Sequence, residues 1–265
     1  MKHPKFSIVT VCYNAGDKLY QTIRTALAQD YDNYEIIIKD GMSKDDSLSK
    51  VAQNARIKII QTPDKGIYDA MNQALEYITG DYVYFLNCGD SFYDKTVLSK
   101  VAACIEEEPA AGIYYGDTYN ESTSSVVPMP GNITAFTCYR NIPCHQACFY
   151  AVELFQERGY DLAYKIRADY EHFLWCFFKK EVVPKHTGEI IANYEGGGFS
   201  ETKENQKTDR KEHKQIVNLY MKKSQLFLAR SYMVVTLMPL RRFLAGNRYF
   251  SKMYNGIKHL VYGKK

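Results

Sequence analysis

The chain has 265 residues, 46% of them hydrophobic and 24% charged, with a net charge of +4, the values of a globular protein large enough to bury a sizeable core. Its seven cysteines, an odd number without CxxC pairs, argue against a disulfide framework or a zinc cage and read as reduced thiols of a cytoplasmic protein. The N-terminus MKHPKFSIVTV lacks the order of a secretory signal, and the longest apolar run, Tyr232 to Leu240, falls well short of the roughly 20 residues that span a bilayer, so no transmembrane helix is expected.

Tyrosine is overused, at 23 residues. Its ring is apolar and its hydroxyl polar, so a surplus lines sites for sugars or bases, or sits at a membrane interface, as well as filling cores. Charge is uneven along the chain. From Lys203 to Lys265 there are 15 Lys and Arg against Glu204, Asp209 and Glu212, about +12, which leaves about −8 for the remainder. The tail is a separate electrostatic object.

Phe6 to Val11 (FSIVTV) is a β-branched run closed by Tyr13, Asn14, Ala15 and Gly16, which predicts a first strand and a turn. Leu19, Ile23, Ala26 and Leu27 then recur at helical spacing within Asp17 to Gln29. Tyr34 to Lys39 (YEIIIK) predicts the second strand, ending in Asp40 and Gly41, and Asp45 with Asp46 opens a second helix expected to run through Gln53. Lys58 to Gln61 is the third strand, Ala70 to Ile78 the third helix, closed by Gly80, and Asp81 to Leu86 the fourth strand. Alternation of this kind implies a doubly wound, mainly parallel sheet.

Beyond residue 95 the pattern is less regular. Thr96 to Glu108 predicts a helix, Gly112 to Tyr119 and Ser125 to Pro130 two strands, and Pro143 to Tyr150 a further strand holding Cys144, His145 and Gln146. Helix returns at Ala168 to Lys179. A strand near Ile190 to Tyr194 leads into Gly196, Gly197 and Gly198, either a hinge or lid or a plain surface loop. After a polar stretch from Glu201 to Lys214, helical periodicity resumes at Ile216 to Leu228. The last residues interleave Arg241, Arg242, Arg248, Lys252 and Lys258 with Phe243, Leu244, Tyr249, Phe250 and Tyr254. That is the pattern of a basic amphipathic helix on an anionic membrane face, with docking on the protein's own core as the alternative. Nucleic-acid binding is not expected, because no helix-turn-helix, RRM or OB signature accompanies the charge.

The stretch DYVYFLNCGD, Asp81 to Asp90, is a buried-type strand broken abruptly by Asn87 to Asp90. Asp90 followed by Ser91 is also an ordinary helix cap. Yet the first strand ends in Tyr13 and Asn14, the second in Asp40 and the fourth in Asp90, and the carboxyl ends of parallel strands converge where open α/β sheets bind ligands. Tyr13 could stack a base, Asp40 accept from the imide N–H of a uracil-like one, and Asp90 ligate a hard divalent cation bridging two phosphates. The absence of GxGxxG argues against a dinucleotide oxidoreductase and that of GxxxxGK[ST] excludes a Walker-type NTPase, so phosphates would need a metal and side chains. Asp169 or Glu171 would have to serve as general base toward an acceptor hydroxyl.

Four motifs in order, SIVTVCYN, KDGMSKDDS, DKGIYDAMNQAL and GDYVYFLNCGD, resemble the nucleotide-binding half of a family 2 glycosyltransferase with the GT-A fold. PCHQACFY, ADYEHFLW and YEGGGFS resemble the acceptor half of the subgroup that builds bacterial surface polysaccharides. The resemblance implies an α/β catalytic domain over residues 1–200, with the nucleotide-sugar half at 1–95 and the acceptor half at 96–200. Residues 201–265 would form a basic helical tail that meets a membrane surface or another subunit. It implies that Thr10, Val11, Tyr13 and Asn14 line the base and ribose pocket with Asp40 on the base, and that Asp64, Lys65, Gly66, Asp69 and Asn72 flank the nucleotide and donor sugar. Asn87, His145 and Glu171 would lie at the donor sugar or acceptor, Asp90 would hold Mn²⁺ or Mg²⁺, and Asp169 would be the catalytic base.

Two departures stand out. A single carboxylate, Asp90, occupies the metal position where relatives carry a run of Asp, and Gly41 replaces the second Asp of the usual pair after the second strand. Metal binding is therefore expected to be weak without nucleotide. No QxxRW motif is present, which favours one transfer per acceptor. The expected reaction is inverting transfer from a nucleotide-diphosphate sugar, a UDP-sugar by default, to a hydroxyl of a saccharide acceptor on a lipid carrier, carried out by a peripheral protein at the inner face of the cell membrane. The alternatives are a sugar nucleotidyltransferase and a non-catalytic nucleotide-sugar-binding scaffold. The first lacks its glycine-rich basic loop after strand one, where Asn14 to Lys18 stand; the second gains from the sparse metal motif.

Overall fold

The computed structural model describes residues 3–194 and 205–235. Two compact units divide the chain, Met1–Tyr220 and Met221–Lys265. The glycine triplet and the basic aromatic run from Arg241 lie outside the described residues.

Nine strands build the first unit's sheet among the described residues: β1 (Phe6–Cys12), β2 (Tyr34–Asp40), β3 (Ile57–Gln61), β4 (Tyr82–Phe85), β5 (Ser91–Phe92), β6 (Ile113–Asn120), β7 (Ser125–Val127), β8 (Cys148–Ala151) and β9 (Lys185–Tyr194). Their order is β3-β2-β1-β4-β8-β6-β9-β5, with β7 on β6. The half from β3 to β4 is parallel, in line with the alternation of strand and helix that precedes it in sequence. β8 then runs antiparallel to both β4 and β6, and β6 pairs parallel with β9. Every residue of β1 is buried, as expected of a strand covered on both faces. Of the flanking helices, α1 (Asp17–Leu27) buries Leu19, Ile23 and Ala26 at helical spacing, α2 (Ile67–Leu75) buries Ala70, Met71 and Ala74, and α3 (Val97–Glu107) buries Leu98, Val101, Ala102 and Ile105.

The expected second helix does not form. Asp45 Oδ1 accepts the Ser47 N–H at 3.1 Å, while Asp45 Oδ2 and the Ser47 hydroxyl share the Gly16 N–H at 3.0 and 2.7 Å. Side-chain bonds of this kind compete with helix formation, and only one 3₁₀ turn remains, at Leu48–Lys50. The strand expected from Pro143 is shortened too: Ala147 N–H returns to the Cys144 carbonyl at 2.8 Å, making a turn of His145–Ala147, and pairing begins at Cys148. Three short elements carry too few residues for a sequence period, namely β5, α4 (Ala135–Arg140) and α5 (Val152–Glu157).

Among the described residues eight tyrosines are buried, and Tyr84, Tyr114, Tyr115, Tyr150 and Tyr170 are among the largest fully buried side chains. Three of their hydroxyls tie down loop carbonyls: Tyr84 to Gln146 at 2.7 Å, Tyr115 to Pro130 at 2.6 Å and Tyr170 to Cys138 at 2.6 Å. The ring fills volume and its polar tip fixes a loop. Helix α6 (Ala168–Phe178) is buried nearly all round, and α7 (Asn205–Tyr220) packs in the same unit through Glu212, Ile216 and Val217. Helix α8 (Lys223–Val235) belongs to the second unit. All seven cysteines are free, and no helix among the described residues is long and apolar enough to cross a membrane.

Candidate active site

A cavity of about 670 Å³ opens at the carboxyl ends of β1 and β4, and its wall brings together Val11, Tyr13, Asn87, Asp90, His145 and Asp169. Such ends are where open α/β sheets bind ligands. The break after β4 is a tight turn: Asp90 N–H bonds to the Asn87 carbonyl at 3.1 Å, and Gly89 has φ +101°, a region that side chains disfavour. Thr22 of α1 locks it, donating to the Asp90 carbonyl at 2.8 Å and accepting the Gly89 N–H at 3.0 Å. Asp90, 6% exposed, takes a bond on Oδ2 from the Gln146 amide at 2.7 Å. Gln146 is itself held through its carbonyl by Tyr84.

Asp169 sits in the first turn of α6. The Tyr68 hydroxyl donates to its Oδ1 at 2.8 Å, His145 Nδ1 lies 3.3 Å from its Oδ2, and Asn87 Nδ2 lies 2.9 Å from Nε2 of the same ring. An amide nitrogen can only donate, so the hydrogen-bond pattern assigns the ring proton to Nδ1, where it is given to the carboxylate. Burial pushes the Asp169 carboxyl up, but the His145 ring, the Tyr68 hydroxyl and the Tyr170 N–H outweigh it and hold its pKa below the usual carboxylate value. A carboxylate kept ionised on a cavity wall can take a proton from a hydroxyl set against it.

Tyr13, also on the cavity wall, is 63% exposed. Asp40 is wholly buried and is not on the cavity wall. Its carboxylate is occupied by the Ser43 N–H at 2.9 Å, the Ser43 hydroxyl, the Gln61 amide at 3.3 Å and the Cys12 thiol at 3.4 Å. Burial raises its pKa, and the Ser43, Gln61 and Cys12 bonds more than reverse this. Asp40 therefore meets the Tyr13–Asn14 loop through Ser43, whose hydroxyl accepts the Asn14 N–H at 2.8 Å. The absent second Asp also finds a reason here. A Cβ at Gly41 would come within 2.7 Å of Asp64 Oδ2 and 3.3 Å of the Tyr13 ring, so glycine is what lets Asp64 sit beside that ring. Asp64 is anchored by the buried Lys39 ammonium at 3.0 Å and takes the Gly66 N–H at 3.1 Å.

Other expected residues support the scaffold. Thr10 is buried in β1, and Asp69 accepts the Lys65 N–H at 2.8 Å at the entry to α2. Asn72 exchanges two bonds with the Tyr160 backbone, at 2.9 and 2.8 Å, and is not on the wall. Glu171, expected near the substrates, is 1% exposed and binds Arg158 and the Tyr220 hydroxyl, away from the cavity.

Sequence reasoning passed over Thr22, Tyr68, Gln146 and Glu212. Tyr68 and Gln146 lie inside motifs already singled out, one residue from positions given roles. Glu212 carries no such signal. Its Oε1 accepts the Lys165 N–H at 2.8 Å and its Oε2 those of Ile166 and Arg167 at 3.0 and 2.9 Å. Helix α6 has no side-chain cap of its own, and α7 supplies one from outside. One turn earlier, Asp209 pairs with the Arg167 guanidinium at 2.7 Å, both on the cavity wall.

The donor set at Asp90 is one carboxylate, and among the described residues no three Asp, Glu, His or Cys side chains gather as a cation cage. That set suits Mg²⁺ or Mn²⁺ when a diphosphate completes the shell.

Residues 7–165 match the model of glycosyl transferase family 2. A PGL/p-HBAD biosynthesis glycosyltransferase of Mycobacterium bovis is 34% identical over 209 residues, spanning 76% of this chain and 81% of its own. The Escherichia coli UDP-Glc:alpha-D-GlcNAc-diphosphoundecaprenol beta-1,3-glucosyltransferase WfaP is 33% identical over 52% of this chain and 57% of its own. In structure, the mannosyltransferase PcManGT of Pyrobaculum calidifontis, in complex with GDP-Man and Mn²⁺, aligns over all of this chain and 89% of its own, with a TM-score of 0.60 at 11% identity. With more than half of its length in the family match and a GT-A sheet carrying the site, the chain belongs to glycosyl transferase family 2.

Proposed function

We propose that the chain is an inverting glycosyltransferase that moves a sugar from a nucleotide diphosphate onto a hydroxyl of a saccharide carried on a lipid diphosphate. The observation that carries this reading is the placing of Asp169, held ionised by His145 and Tyr68, on one cavity wall with Asp90 at the end of β4. In this reading Tyr13 stacks the base. Asp169 removes the acceptor proton while the oxygen attacks the anomeric carbon from the face opposite the diphosphate. One carboxylate suffices at the reacting carbon because a diphosphate leaves readily, unlike the alcohol that a glycosidase must protonate. Asp90 would hold a divalent ion, which would neutralise the charge that develops on the leaving group. A UDP-linked donor and a lipid-diphosphate acceptor are favoured by the reaction that the name of WfaP describes, and a metal by the Mn²⁺ of the PcManGT complex.

The direct test is turnover. Among UDP-, GDP-, dTDP- and CMP-linked sugars, one class is expected to lose its nucleotide, and NMR of the product is expected to show the inverted anomeric configuration. Retention of configuration would contradict the single-displacement reading.

Peripheral membrane association belongs to the same proposal. On α8, Phe227, Leu228, Val234 and Val235 are exposed, at 66% to 80%, beside the exposed Lys222, Lys223 and Arg230. Each cation near an anionic surface adds about 1 kcal/mol of attraction. Vesicles containing phosphatidylglycerol are expected to bind the protein at low salt and release it at high salt. Binding that survives removal of residues 221–265 would rule this tail out as the anchor.

A further inference from the structure

The Tyr68 hydroxyl faces two acceptors with one proton to give. Asp169 Oδ1 and the Ile166 carbonyl oxygen each lie 2.8 Å from it. Both distances suit an O–H donor, but one O–H serves one acceptor at full strength at a time. Resting on the reading of Asp169 as the base, we propose that Tyr68 is a positioning residue whose hydroxyl turns from Asp169 to Ile166 as the carboxylate becomes an acid, so that it stays hydrogen-bonded before and after proton transfer.

Charge decides which acceptor holds the proton. An ionised carboxylate outcompetes an amide carbonyl, so in the resting site the Tyr68 O–H points at Oδ1. During transfer the acceptor O–H bond breaks and its proton goes to Asp169. The electron pair stays on the attacking oxygen and forms the bond to the anomeric carbon. The bond from that carbon to the diphosphate breaks, with its pair leaving on the phosphate oxygen. Asp169 is now neutral and a weak acceptor. A rotation of the Tyr68 C–O bond delivers its hydrogen to the Ile166 carbonyl, and no backbone has to move. Ile166 is fixed for this role by Glu212, which takes its N–H at 3.0 Å on the loop that leads directly into Asp169. The base and the alternative acceptor therefore sit on one anchored segment.

Several titratable groups surround Asp169. Facing it are Tyr68 from α2, His145 and Cys144 from the turn before β8, Cys148 and Tyr150 from β8, Tyr160 from the loop before α6, and His172 within α6; Arg167, on the same wall, is paired with Asp209. Burial pushes the Cys144 thiol up to about 12, the Cys148 thiol and the three phenols well above their ordinary values, and the His172 ring down to about 3. The thiols and phenols stay neutral across the acid range in which Asp169 titrates, and of these groups His172 alone gains charge there. Comparing the acid limb between Tyr68 variants, in all of which His172 is unchanged, therefore isolates the change at Asp169.

The sign of the effect follows. The Tyr68 bond favours the carboxylate form, so removing it raises the Asp169 pKa. A base works only when ionised, so the acid limb of rate against pH must move to higher pH. Tyr68→Phe is to be assayed by nucleotide release from whichever of the UDP-, GDP-, dTDP- and CMP-sugars the wild type turns over, with Asp169→Asn alongside. The expected result is a rate about tenfold lower, an acid limb displaced upward by about one pH unit, unchanged nucleotide affinity, and a melting temperature lowered by a few degrees, because a higher carboxyl pKa in the folded state alone is a loss of stability at neutral pH. Incorporating 3-fluorotyrosine at position 68, a stronger donor of the same shape, must displace the limb downward. Limbs that stay at the wild-type pH in both variants would reduce Tyr68 to packing and overturn the proposal. An active Asp169→Asn would instead overturn the assignment of the base, a separate failure.

Discussion

Asp169→Asn is expected to slow sugar transfer by about 10²- to 10⁴-fold at neutral pH while leaving nucleotide affinity nearly unchanged. The amide keeps the shape of the carboxylate and can still accept from Tyr68, so the fold and the cavity wall survive. It cannot take a proton, and its NH₂ group would face either the Tyr68 hydroxyl or the Nδ1–H of His145, both of which donate in the native site. The loss should fall on kcat rather than KM for the donor, because in the proposed reaction Asp169 acts on the acceptor hydroxyl and not on the nucleotide. Single-turnover rates together with an equilibrium nucleotide titration separate the two. Near-normal rates in a folded variant would remove Asp169 from the chemistry.

Glu212→Ala is expected to be the most damaging change outside the cavity, lowering stability by about 3 kcal/mol and activity with it. Three consecutive backbone N–H groups, those of Lys165 and Ile166 and of Arg167 at the N-cap of α6, lose the Glu212 acceptor in that change, where the helix has no side-chain cap of its own. Glu212→Gln should fall in between. Its carbonyl oxygen can serve Ile166 and Arg167, while its NH₂ group would oppose the Lys165 N–H. Urea unfolding midpoints and transfer rates for the two variants check this. If Glu212→Ala unfolds at the wild-type midpoint, α7 is an ornament on the sheet rather than the cap of α6.

The contrast between these residues shows what a sequence can and cannot reveal here. β1, β2 and β4 were legible because a strand buried on both faces is a run of apolar residues, and the break at Asn87 to Asp90 was legible because Gly89 adopts a conformation that suits glycine. Asp90, Asp169 and His145, singled out through their motifs, share one wall. Asn72 and Glu171 come from the same motifs yet face inward, since spacing along a helix does not say which neighbour a polar side chain meets. Glu212 was read as part of a polar tail. Its role depends on a loop 45 to 47 residues away in sequence, and no local pattern records that contact. The helix expected after Asp45 failed for the opposite reason, because Asp45 and Ser47 spend their side chains on the backbone of their own loop and of Gly16.

The central claim is that this cavity binds a nucleotide diphosphate through a cation on Asp90, and thermal unfolding with nucleotides tests it most directly. UDP, GDP, dTDP and CMP would each be added with and without Mn²⁺, to the wild type and to Asp90→Ala. A ligand at about 100 times its Kd stabilises the folded state by about 2.7 kcal/mol, a shift of several degrees. The account predicts such a shift for one nucleotide diphosphate, dependent on Mn²⁺ and abolished in Asp90→Ala. No shift with any nucleotide in well-folded wild-type protein, or an equal shift in Asp90→Ala, would contradict it.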